Sequence, residues 1–61
     1  MTICVHRRTL AALFDVAYGA VSGAVGSALI REVDGIADES EAFDAGVAFL
    51  REQGIKVEVR P

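Results

Sequence analysis

Cys4 and His6 are the residues whose types first invite chemistry. They stand two apart in Thr2-Ile3-Cys4-Val5-His6, which alternates with the two-residue period of a strand, so both fall on one face. A thiolate and an imidazole are zinc ligands, and two copies of such a strand could together offer a Cys2His2 set. One chain supplies half of that set. A lone cysteine and a lone histidine on a short strand read as packing and surface residues, and no metal site is expected. Ser22 and Ser27 carry hydroxyls, but nucleophilic catalysis needs a base beside the nucleophile, and His6, the only histidine, shares no recognisable motif with either. Residues 19–26, GAVSGAVG, have the small side chains of a phosphate cradle without its lysine or its spacing, and read as a tight hairpin turn. Asp34, Asp38, Glu39 and Glu41 do not follow the order of a calcium loop and read as a solvated, helix-capping cluster. The chain therefore reads as a non-enzyme, with no catalytic residue and no cofactor.

The elements that must carry these side chains are clearest at the far end. Asp38 followed by Glu41 suits a helix N-cap, and Glu39, Glu41 and Asp44 favour the positive end of the helix. Phe43, Val47 and Leu50 recur at the spacing of one helical stripe, with Gly46 on it and Ala42 and Phe49 at its flank. Gly54 sits where a left-handed cap is wanted. Beyond it, Ile55, Val57 and Val59 alternate with Lys56, Glu58 and Arg60, which predicts a strand with one apolar and one ionic face. Cys4, His6, Lys56, Glu58 and Arg60 are thus expected on the sheet face away from the helices, as a candidate interface.

Residues 10–30 are harder to place, because they hold a single charge, Asp15, and are numerous enough to cross a bilayer. Asp15 costs about 3 kcal/mol near the centre of such a span, and the glycines, alanines and serines contribute little to offset it. A single-span membrane subunit is the alternative reading. The preferred one cuts the stretch at its glycines: a helix over 7–14 with Leu10, Leu13 and Phe14 on its apolar stripe, a strand over 16–21, a turn at 22–26 and a strand over 27–33. The element order is then β-α-β-β-α-β.

Val16-Ala17-Tyr18-Gly19-Ala20-Val21, residues 26–35 and AFLREQGIKVEV over 48–59 together resemble the NIL domain family, a small ferredoxin-like module named for an Asn-Ile-Leu tripeptide. Asp15-Val16-Ala17 stands where that tripeptide would be, the hairpin turn is shorter, and the segment before the first helix is truncated. The resemblance implies regulatory or adaptor work linked to methionine or sulfur metabolism, as in methionine-importer ATPases and ferredoxin-linked sulfur proteins, with methionine as a possible ligand. No ligand-contacting residue carries across. Neither a phosphate loop nor a cysteine cluster is present, so the chain alone is not expected to hydrolyse ATP or hold an iron–sulfur cluster.

A chain of 61 residues is one small domain with a core near the lower limit for independent stability, so a homo-oligomer or a larger protein partner is expected. A net charge of -3 and the absence of a basic stripe argue against nucleic acid; His6, Arg7 and Arg8 read as a solvated helix start. One cysteine excludes an internal disulfide, and the cytoplasm is the expected compartment. The expected fold is a ferredoxin-like α+β sandwich, two helices on one face of a four-stranded antiparallel sheet, with Phe14, Ile30, Phe43, Val47, Leu50, Ile55 and Val57 in the core. The expected function is a non-enzymatic ligand-sensing or protein-interaction domain, with a structural accessory subunit of a larger enzyme complex as a further alternative.

Overall fold

Three side-chain caps decide where the helices begin. In the computed structural model, which describes residues 1–61, the Thr9 hydroxyl accepts the Ala12 N–H at 3.3 Å and starts α1, Leu10–Val16. The Ser22 hydroxyl accepts the Val25 N–H at 3.1 Å and starts α2, Gly23–Val33. The Asp38 carboxylate accepts from Ser40 and Glu41 N–H at 2.8 and 3.3 Å and starts α3, Glu39–Glu52. Each cap satisfies backbone donors that the first helical turn leaves free. Between α1 and α2 the chain widens into a π-helical turn, Ala17–Val21, closed by the Ser22 N–H on the Ala17 carbonyl at 3.1 Å. Ser22 itself is extended, with φ -169°, so the two helices are distinct.

Strands β1, Thr2–His6, and β2, Lys56–Arg60, flank this helical block and pair in parallel, Thr2 with Lys56 through His6 with Arg60. Parallel neighbours need a long crossover, which the three helices supply. Gly54 turns the chain from α3 into β2 at φ +84°, a conformation that L side chains rarely adopt. Helices α1 and α3 lie against one face of the two-stranded sheet and α2 packs on both of them, around a core of Ile3, Val5, Leu13, Ala17, Leu29, Val33, Ala42, Phe43, Val47, Leu50, Ile55 and Val57.

The four-stranded ferredoxin-like sheet does not form, and with it the β-α-β-β-α-β order is overturned. The expected strands at 16–21 and 27–33 are helical, and the expected hairpin turn at 22–26 is the capped start of α2. Burial in the middle follows helical spacing: Leu13 and Ala17 four apart, then Gly26, Leu29 and Val33. A strand would have buried alternate residues. The alanines favour helix, and Gly26, expected to end a turn, instead makes room for packing, as does Gly46 on the stripe of α3. A Cβ on Gly46 would lie 2.7 Å from Leu13 Cδ2 and 3.0 Å from Leu29 Cδ1, and one on Gly26 would meet the Tyr18 ring at 2.7 Å. Gly46 therefore lets α3 approach α1 and α2 closely. Tyr18 lies over Gly26, its hydroxyl 3.0 Å from Ser27 Oγ. Ile30, expected in the core, is 39% exposed because it stands off the Gly26–Leu29–Val33 stripe, and Phe14 is only partly buried.

The break at Ser22 also divides the apolar stretch 10–30. No helix of the protein is long and apolar enough to cross a membrane.

Candidate interaction surface

Alternation along the strands separates two faces. Ile3, Val5 and Val57 are buried and Val59 half-buried beneath the helices, whereas Thr2, Cys4, His6, Lys56, Glu58 and Arg60 are all exposed. The structure thus places the five expected interface residues together on the face opposite the helices, joined by Thr2, with Cys4 beside Glu58 and His6 beside Arg60. Parallel sheets are ordinarily covered on both faces, and an isolated two-stranded sheet is marginal in water. Here only one face is covered.

Backbone hydrogen bonding defines the edges. The Lys56 N–H donates to the Met1 carbonyl at 3.0 Å, and the Arg7 N–H donates to the Arg60 carbonyl at 2.7 Å. With in-register parallel pairing, these two bonds fix the phase of the ladder. Ile3 and Val5 turn their backbone polar groups toward β2, and Lys56, Glu58 and Arg60 turn theirs toward β1. Thr2, Cys4 and His6 on one strand, and Val57 and Val59 on the other, consequently direct theirs outward.

The two outer edges differ chemically. On β2 the Arg51 guanidinium, from the last turn of α3, donates to the outward Val57 carbonyl at 2.9 Å. It lies in a groove of about 490 Å³ along that edge, lined also by Gly54, Ile55, Lys56, Val57 and Glu58. Three of the five β2 residues are charged and Pro61 follows the strand, all features that discourage edge pairing. The β1 edge carries no acid, lysine, arginine or proline. Its only outward group with a partner is the His6 carbonyl, which accepts the Arg8 N–H at 2.9 Å.

Arg7, just beyond β1, is not a free cation for a phosphate. Its guanidinium pairs with Asp44 and lies 4.8 Å from the Phe43 ring centroid, tying the strand end to α3. A cleft of about 230 Å³ beside it is lined by Arg8, Thr9, Leu10, Glu39, Ser40 and Phe43, with the Glu39 carboxylate accepting the Leu10 N–H at 3.4 Å.

Other candidate chemical residues are dispersed or occupied. The Ser22 hydroxyl caps α2, and Ser27 bonds Tyr18. Asp38 caps α3 while Asp34 follows α2, so the expected acidic cluster is split between two helix boundaries. No three of the histidine, cysteine and acidic side chains gather as a metal-binding group, and no buried residue is polar or charged. Sequence reasoning missed the Arg51–Val57 bond and the Arg7–Phe43 contact. The first had a signal, an arginine in the last turn of a helix that reverses through glycine into its own packed strand.

No family model, curated protein or solved structure matches the chain.

Proposed function

We propose that the chain is a non-enzymatic protein-interaction module that works by extending its sheet with a strand from another chain. The observation that carries this reading is a parallel pair with one face bare and the Thr2, Cys4 and His6 backbone directed to an open edge. Strand addition satisfies such groups through main-chain hydrogen bonds. Methionine sensing, which the family resemblance implied, loses the four-stranded sheet on which that expectation stood.

Titration with a fluorescein-labelled peptide of alternating threonine and valine tests this function. With protein dilute enough to leave the β1 edge free of a second copy, anisotropy rises on binding, and N-methylation of the peptide's alternate amides abolishes the rise. Absence of binding by either peptide, together with a melting temperature raised by methionine, overturns the proposal in favour of a small-ligand sensor; at a hundredfold excess over the dissociation constant that stabilisation is about 2.7 kcal/mol.

A further inference from the structure

Resting on the reading of the sheet as a strand-accepting surface, we infer that the strand accepted is β1 of a second copy, paired antiparallel across a two-fold axis at Cys4. A two-fold interface brings the same patch together from both copies, and the β1 edge is self-complementary in that sense. Cys4 exchanges both backbone bonds with the partner's Cys4, and Thr2 and His6 bond the partner's His6 and Thr2. All three residues direct their backbone groups outward, so every bond of the existing β1–β2 ladder is kept. Ile3 then stands opposite the partner's Val5 on the covered side, which makes one apolar sheet floor from two.

Charge selects this edge over the other. In full register, β2 paired with its own copy would set Glu58 opposite Glu58 and Lys56 opposite Arg60, like charges facing directly across the ladder. A charged guanidinium, Arg51, also stands over the outward Val57 carbonyl of β2. The His6 carbonyl that β1 pairing uses is shared only with the backbone N–H of Arg8 and keeps a second lone pair for the partner's strand. Pairing through β1 opposes no charges, since Thr2–His6 contains no acidic residue, lysine or arginine. The resulting order β2-β1-β1-β2 buries both open edges inside and leaves both guarded edges outside. Association therefore stops at the dimer.

Sedimentation equilibrium of the full chain, the variants Cys4→Lys and Cys4→Glu, and their mixture tests this arrangement. The wild type is a dimer; each variant alone has a dissociation constant raised at least about tenfold by like charges at the centre of the pair, and mixing the two restores a heterodimer. Because the side chain at position 4 is exposed, the folds survive, which far-UV circular dichroism checks. Independently, mild oxidation links wild-type protomers through Cys4, as the Cα separation of about 5.5 Å in such a pair suits a disulfide. A wild-type monomer at all concentrations that still binds the threonine–valine peptide overturns the self-pairing and spares the interaction module. A monomer that binds no peptide overturns both. A dimer indifferent to both substitutions and unlinked by oxidation places the contact elsewhere and overturns the inference.

Discussion

The Arg51 guanidinium donates to the Val57 carbonyl at 2.9 Å, so the helix that covers the sheet also closes one of its edges. Arg51→Met keeps much of the apolar stem and removes the donor. A lost charged hydrogen bond predicts a stability decrease of about 1–2 kcal/mol by urea denaturation. The variant should also gain concentration-dependent scattering, because a second sheet edge has been opened. Unchanged stability and scattering would show that Arg51 guards nothing.

Gly46 and Gly23 make a contrasting pair. Alanine at Gly46 meets Leu13 and Leu29 in the fully buried crossing, and overpacking outweighs the gain in helix propensity, for a net loss of about 1–2 kcal/mol. Alanine at Gly23 meets nothing within 4 Å and should stabilise by about 0.5–1 kcal/mol. Thermal unfolding of both variants checks the opposite signs.

Ser22→Ala tests whether the middle is helical. Loss of the cap on α2 costs about 1 kcal/mol and lowers helical ellipticity near the transition. A hairpin turn at the same place would not depend on that hydroxyl accepting the Val25 N–H, so a silent substitution contradicts the capped start.

These glycines and serines explain why one half of the chain was legible and the other was not. In residues 38–61 every local signal agrees: Asp38 caps, Phe43, Val47 and Leu50 bury one stripe, Gly54 takes a positive φ, and the alternation after it forms β2. Along the middle, Gly19, Gly23 and Gly26 signal a turn when read locally, while Leu13, Ala17, Leu29 and Val33 gain burial only if the segments are helices. Tertiary packing prevailed over glycine's local preference. The exposed sheet face was legible because strand period alone decides it. The difference between the edges was not, since it depends on ladder phase and on Arg51 reaching across from α3.

The Arg7–Asp44 pair should contribute little. Both side chains are largely exposed, at 43% and 61%, so Asp44→Asn costs under about 1 kcal/mol, and molar salt removes most of that difference. Arg7→Ala should cost more, because it also removes the contact with Phe43. Urea denaturation at low and high salt separates the two contributions.

Residue-resolved amide exchange of Cys4 as a function of protein concentration tests the central claim most directly. Within one copy the Ile3 and Val5 amides are bonded to β2 and the Cys4 amide is not, so dilute protein should show protection alternating along β1. As concentration rises, self-pairing predicts that Thr2, Cys4 and His6 slow together until protection is continuous along the strand. A Cys4 amide that exchanges freely at every concentration, beside a protected Val5, would contradict the account.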